Sequence, residues 1–254
     1  MTNTSTFWDA LELDEASPPV VAIVGGGGKT SLLFRLGREA HARGRSAVLT
    51  GTTRFTTPPA LTGDIELIAT GSPDQAPDLG PLIEAHATAV VHAGSAPKAR
   101  WTPIDVTTAD AIAATPGLGL LALEADGSKM RPFKAPADYE PVIPASATHV
   151  VAVVGLHALD APLDEANVHR PDQIRSIVRN AERASAEVIA RVLTDQRGGR
   201  KDVGGRSFTV VVNQADLDPE RALSLARTIR ATGAPRVIVA SLRDDETPIR
   251  AVLD

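Results

Sequence analysis

The sequence contains no cysteine. That excludes disulfides, cysteine-ligated clusters, thiolate zinc sites and a cysteine nucleophile. Long apolar runs are missing as well. The longest, such as Leu118 to Leu123 and Val150 to Val154, fall far short of the ~20 residues of a membrane-spanning helix. There is no excess of basic residues either: the 254-residue chain carries a formal net charge of −5, where nucleic-acid binders usually show a cationic footprint. The opening residues, MTNTSTFWDALELDEASPP, have neither a basic start nor an apolar centre and do not read as a secretory signal. What is present, 43% hydrophobic and 22% charged residues, is the composition of a globular protein. The expectation is a cytoplasmic protein without a membrane or nucleic-acid partner.

At ~150 residues per domain, this length allows one or two domains. Val20 to Val24 is a short, β-branched apolar run, the pattern of a strand buried on both faces. After four glycines, Leu32, Leu33, Leu36 and Ala40 share one helical face and Arg35, Arg38, Glu39 and Arg43 the other. Ser46 to Thr50 then completes a strand–loop–helix–strand unit. Further strands are expected at Ile65–Ala69, Ala89–His92, Leu118–Leu123, His149–Val154, Phe208–Val212 and Arg236–Ala240. Helices are expected near Leu82–Ala87, Asp105–Ala114, Arg183–Leu193 and Pro219–Ala231, with a helical lead-in over residues 1–18. Such alternation implies an α/β fold: one domain over residues 1–254, with a doubly wound, mostly parallel sheet and helices on both faces. Two stretches interrupt the pattern: a Pro/Asp-rich loop from Gly71 to Gly80, and a Gly/Arg-rich loop over 196–206 expected to be mobile.

Gly25, Gly26, Gly27 and Gly28 followed by Lys29, Thr30 and Ser31 stand between the first strand and the first helix. Glycines let successive N–H groups turn inward around a phosphate, and the helix N-terminus adds its positive dipole end. In that context Lys29 would reach the β- and γ-phosphates and the Thr30 hydroxyl would ligate Mg2+. The full G-x-x-x-x-G-K-[ST] pattern is not met, because Ile23 occupies its first glycine position. The tighter x-G-G-x-G-K-T form resembles the deviant phosphate loops of the MinD-like branch of P-loop NTPases. That branch's signature lysine falls at Val24, so its lysine-dependent dimer mechanism is not implied. A dinucleotide fingerprint is disfavoured because Thr30 replaces its third glycine.

A buried strand then runs into Glu124, Ala125, Asp126 and Gly127. A carboxylate there, Glu124 or Asp126, is placed to order Mg2+ or an attacking water, and the Gly127 amide to meet a γ-phosphate. Thr50, Thr52 and Thr53 offer hydroxyls for the same metal shell. Arg54 and Arg131 are candidate transition-state cations. Asn213-Gln214-Ala215-Asp216 is similar to the N-K-x-D guanine-reading motif, with Gln214 in place of its lysine. Asp216 or Asp218 also fits an ordinary helix cap ahead of Pro219 and Glu220, so ATP and GTP both remain open. Lys129, Arg131 and Lys134, held in a proline-stiffened segment, and the His169-Arg170 pair are candidates for binding a second anionic group. The histidines at 41, 86, 92, 149 and 157 are scattered and form no metal-ligand pattern.

GGGGKTSL, EADGSKMRPFKAPADYEPVIP, VGLHALDAPLDEANVHRPD and VNQAD, in this order, resemble the YqeC family, described as accessory factors for selenium-dependent molybdenum hydroxylases. The resemblance implies a nucleotide-dependent step in maturing or inserting a selenium-containing molybdenum cofactor. An intermediate of that cofactor, a hydroxylase or its maturation factors would then be partners. It also implies that Lys29 and Thr30 form the nucleotide site, Glu124, Asp126 and Gly127 the switch, and Lys129, Arg131, Lys134, His169 and Arg170 a family-specific site. Without cysteine, any selenium chemistry would run on the small molecule. The expected activity is Mg-dependent nucleoside triphosphate hydrolysis. The alternatives are phosphoryl transfer to a small acceptor, or a nucleotide-gated cofactor carrier without useful catalysis.

Overall fold

The computed structural model describes residues 6–13, 17–56, 65–97 and 100–254. In chain order the strands are β1 (Val20–Gly25), β2 (Ala47–Gly51), β3 (Phe55–Thr56), β4 (Ile65–Ala69), β5 (Thr88–His92) and β6 (Gly94–Ala96). They continue as β7 (Arg100–Thr102), β8 (Leu120–Glu124), β9 (His149–Gly155), β10 (Ser207–Asn213), β11 (Val237–Ala240) and β12 (Ile249–Leu253). The helices are α1 (Phe7–Ala10), α2 (Lys29–Ala42), α3 (Gly80–Glu84), α4 (Val106–Ala113), α5 (Pro171–Ile177), α6 (Ala186–Thr194) and α7 (Pro219–Ala231).

Nine strands form one sheet in the order β12-β11-β10-β9-β1-β8-β2-β5-β4. Only β12 runs antiparallel to its neighbour. Alternation along β1 explains its place at the centre. Val20, Ala22 and Val24 pack into one apolar cluster with residues of α3 to α7, while Val21 and Ile23 pack into another with α1 and α2. Both faces are therefore covered, as the continuous apolar run predicts. Because the strands are parallel, the loops after β1, β2, β8, β9, β10 and β11 converge on one edge of the sheet, where ligands of open α/β sheets bind.

The expected strands are present with ends moved by at most two residues, and the four expected helices with ends moved by up to three. Four strands were not expected: β12 at the sheet edge, and β3, β6 and β7, which make a separate antiparallel sheet in the order β3-β7-β6. Among its described residues the helical lead-in holds one short helix, α1. Its Phe7 and Trp8 N–H groups donate to the Glu39 carboxylate at 3.1 and 2.8 Å. Glu39 and Arg35, assigned by spacing to the solvent side of α2, are consequently buried. Arg35 donates to the Asp244 carbonyl at 2.6 Å. The 196–206 loop is a chain of turns tied down at several points: Gly199 N–H donates to the Val192 carbonyl, and Lys201 Nζ to the Ala137 and Asp138 carbonyls at 2.9 and 2.6 Å. No described helix is long and apolar enough to cross a membrane.

Candidate functional site

The glycine run turns at the end of β1 under close contact from three directions. A Cβ on Gly26 would lie 2.3 Å from the Arg131 carbonyl oxygen, a backbone atom that cannot swing aside. Gly28, at φ +148°, combines a dihedral that side chains avoid with a Cβ position 2.4 Å from Asn213 Nδ2. It is also the N-cap of α2, and no side chain occupies the cap. The first free N–H groups of a 14-residue helix therefore face the cleft. Asn213, at the end of β10, donates to the Gly27 carbonyl at 2.7 Å and accepts from the Leu242 N–H at 3.0 Å. One side chain thus fastens the loop to two neighbouring strand ends.

Lys29 is buried, with 5% of its surface exposed. Its Nζ donates to the Gly25 carbonyl at 2.8 Å and lies 3.3 Å from Asp126 Oδ1 and 4.0 Å from Glu124 Oε2. The two carboxylates that sequence could not separate have different surroundings. Asp126 accepts the Gly25 N–H with both oxygens, at 3.1 and 3.0 Å, and is paired with two lysines. It braces the loop from behind and does not line the cleft. Glu124 does line the cleft and accepts from the Thr30 hydroxyl at 2.5 Å. Burial pushes the Glu124 carboxyl up from the ordinary range and Asp126 adds to the push, against Lys29 and Thr30. Thr30 and Glu124 offer two hard oxygen donors side by side. Among the described residues no group of three or more His, Asp or Glu could hold a metal unaided. That donor set fits Mg2+, which takes one or two protein oxygens and fills its shell with phosphate and water oxygens.

Behind Lys29, charges alternate through the interior. Lys134 Nζ lies 3.0 Å from Asp126 Oδ2 and 2.5 Å from Glu140 Oε2, and donates to the Gly127 carbonyl at 2.7 Å. Glu140 in turn takes a two-pronged contact from Arg170, at 2.5 and 3.2 Å. The chain Lys29–Asp126–Lys134–Glu140–Arg170 thus links the phosphate loop to the far wall of the cleft. Burial opposes ionisation of Glu140, but Arg170 and Lys134 together hold its carboxyl at about 2. Burial, with Arg170, Lys134 and Lys129 nearby, pushes His169 down to about 4, so the imidazole is neutral at pH 7.

A cleft of about 960 Å³ opens over this edge of the sheet. Gly27, Gly28, Lys29, Thr30, Ser31, Glu124 and Gly127 line it, with Lys129, His169, Arg170, Asn213 and Asp216. The exposed Asp216 carboxylate has no hydrogen-bond partner among the described residues. Of the two candidate caps for α7, Asp218 takes the role and accepts the Arg221 N–H at 3.0 Å. Other expectations are revised. The Arg131 guanidinium donates to the Glu165 carbonyl at 2.8 Å and does not line the cleft, whereas its backbone carbonyl sits against Gly26. Lys134 is committed to the interior ion chain. The Gly127 N–H faces Glu140 Oε1 at 3.4 Å. Thr50 and Thr52 donate to the Val91 and Val142 carbonyls, leaving only Thr53 at the cleft wall. Glu140 was missed by sequence reasoning. A single carboxylate six residues after Lys134, in a proline-stiffened segment, was the available signal.

A family model described as YqeC protein matches residues 21–172. The chain belongs to the YqeC family. The matched span runs from β1 past Arg170 and so includes the phosphate loop and every member of the ion chain. A curated relative, the uncharacterized protein YqeC of Escherichia coli (strain K12), is 34% identical over 171 residues. That alignment covers 66% of this chain and 65% of the relative's length. No solved structure matches the chain.

Proposed function

We propose that this YqeC-family chain has a P-loop NTPase-like fold and binds and hydrolyses a Mg2+-bound nucleoside triphosphate. The observation that carries the reading is the junction of β1, β8 and α2: a glycine loop with a buried lysine at its base and a Thr30–Glu124 oxygen pair at its mouth. Phosphoryl transfer asks for positioning and charge neutralisation more than covalent chemistry, and these residues supply both. The loop and the start of α2 present backbone N–H groups to phosphate oxygens. Lys29 exchanges the Gly25 carbonyl for a phosphate oxygen, while Asp126 stays in place through Lys134 and Gly25. Bound Mg2+ would be held by Thr30 and Glu124 and would neutralise developing phosphate charge. Arg54, exposed on the cleft wall, replaces Arg131 as the transition-state cation.

GTP is the expected nucleotide. The unpartnered Asp216 carboxylate on the cleft wall suits the two donors that guanine presents on one edge and adenine does not, and Leu217 and Leu242 supply apolar surface for a base. The family resemblance adds the context, namely maturation or insertion of a selenium-containing molybdenum cofactor. The test is phosphate release from GTP and ATP, with Mg2+ and with chelator, by the parent and by Lys29→Ala and Asp216→Ala. Release that needs Mg2+ and Lys29, and loses its GTP preference in Asp216→Ala, supports the reading. Release unchanged in Lys29→Ala overturns it.

A further inference from the structure

The strand order divides the cleft. The loops after β10 and β11, with Asp216, Leu217, Leu242 and Arg243, lie on one side of the phosphate loop. The loops after β8 and β2, joined by β7, lie on the other. A nucleotide with its base over β10 and β11 leaves the second half of the cleft open beyond the γ-phosphate. At about 960 Å³ the cleft is at the upper end of small-molecule sites.

This second half has its own chemistry. Arg54, Arg100, Lys129 and Arg170 line it against two carboxylates, Glu124 at the phosphate-loop end and Glu140, which is already paired with Arg170, in a chain whose net charge is −5. Arg54, Arg100 and Lys129 have no ion-pair partner among the described residues. The Thr53 hydroxyl, on the same wall, is buried without a hydrogen-bond partner. Two large apolar side chains also stand open here, Met130 at 83% and Tyr139 at 74% exposure. The Arg170 guanidinium lies over the Tyr139 ring at 5.8 Å. Lys129, Met130 and Arg170 all hold left-handed backbone, at φ 47°, 64° and 62°. Such strain persists where surrounding structure enforces it, often at ligand sites.

We propose that the half of the cleft over β8 and β2 is a second binding site, for an anionic small molecule with a flat apolar body. It takes its place from the nucleotide reading, which keeps Arg54 for the γ-phosphate: Lys129 and Arg100 meet the anion, Tyr139 and Met130 cover the ring, and Glu140 positions Arg170 between them. The neutral His169 and the Thr53 hydroxyl supply uncharged hydrogen-bonding groups on the same walls.

Phenyl phosphate, which combines a phosphate with an aromatic ring, is the probe. It is titrated by calorimetry into protein already saturated with Mg2+ and a non-hydrolysable GTP analogue, and separately into Lys29→Ala without nucleotide. The expected result is saturable binding in both settings, weaker for inorganic phosphate, and weakened roughly tenfold or more by Lys129→Ala and by Tyr139→Ala. Both substituted residues are exposed, so folding is not at issue. Absence of saturation by about 10 mM, indifference to both substitutions, or loss of binding whenever nucleotide is present would overturn the second site. Failure of the GTP analogue to bind the parent protein would instead overturn the nucleotide reading, while the Lys29→Ala titration still decides the second site.

Discussion

Replacing Glu140 with Gln is the sharpest perturbation of the interior ion chain. The carboxylate is 4% exposed and bonded to Lys134 at 2.5 Å and to Arg170 at 2.5 and 3.2 Å. Its folded pKa of about 2 lies below the ordinary 4.5. At 1.36 kcal/mol per unit, that depression corresponds to about 3 kcal/mol of stability at neutral pH. The cost of breaking a buried pair, about 3–5 kcal/mol, agrees, since two cations are left without their common partner. The pH dependence has a definite sign. Because the folded value is depressed, the contribution is complete above pH 4.5 and disappears as pH falls toward 2. Urea unfolding of parent and Glu140→Gln, followed by circular dichroism, should show a constant gap between pH 7 and 5. By pH 3.5 the gap should shrink by roughly 1.4 kcal/mol. A difference below about 0.5 kcal/mol at pH 7, or one that does not change with acid, would refute the assignment of Glu140 as the link between Lys134 and Arg170.

Gly26→Ala forces a methyl group to 2.3 Å from the Arg131 carbonyl; the overpacking should cost about 1–3 kcal/mol in denaturant unfolding and abolish binding of nucleotide analogues. Asn213→Ala removes the hold on the Gly27 carbonyl and strands the Leu242 N–H. It should weaken ATP and GTP analogues alike by roughly tenfold, since about 1–3 kcal/mol follows an unsatisfied buried group; a change confined to one base would contradict it. For Glu124 the raised carboxyl pKa means that protonation begins at higher pH than for an ordinary carboxylate. Mg2+ affinity of the nucleotide-bound protein, titrated from neutral pH downward, should therefore fall more steeply in the parent than in Glu124→Gln, whose weaker affinity keeps only the pH dependence of the phosphate itself.

The parts legible in the sequence are those encoded locally. Val20 to Val24 reads as a buried strand because both its faces are covered, and the glycines, Lys29 and Thr30 read as a phosphate loop because the motif is contiguous. The small sheet of β3, β6 and β7 escaped notice because strands of two or three residues with Gly94, Ser95 and Arg100 in them carry no apolar pattern. β12 escaped because it is half-exposed at an edge and Arg250 interrupts its run. Within the site, Glu124 closes β8 and Asp126 follows two residues later, a spacing that a continued strand would put on one face; the chain leaves the strand after Glu124, so Glu124 meets Thr30 while Asp126 meets the Gly25 N–H behind the loop. The ion chain joins residues as far apart as 29 and 170, so only the fold brings it together. Arg131 illustrates the converse: its charge suggested the cleft, but its guanidinium is taken up by the Glu165 carbonyl, a partner 34 residues away that no local pattern announces.

The most direct measurement is calorimetric titration of the parent protein and Lys29→Ala with non-hydrolysable GTP and ATP analogues, each with and without Mg2+. Asp126 keeps Lys134 at 3.0 Å and the Gly25 N–H in the variant, so its fold should survive, which circular dichroism checks. Mg2+-dependent binding by the parent, tighter for GTP and lost in Lys29→Ala, is the predicted result. A folded parent that binds neither analogue, or a Lys29→Ala variant that binds as well as the parent, would contradict the assignment of the glycine loop as a nucleotide site.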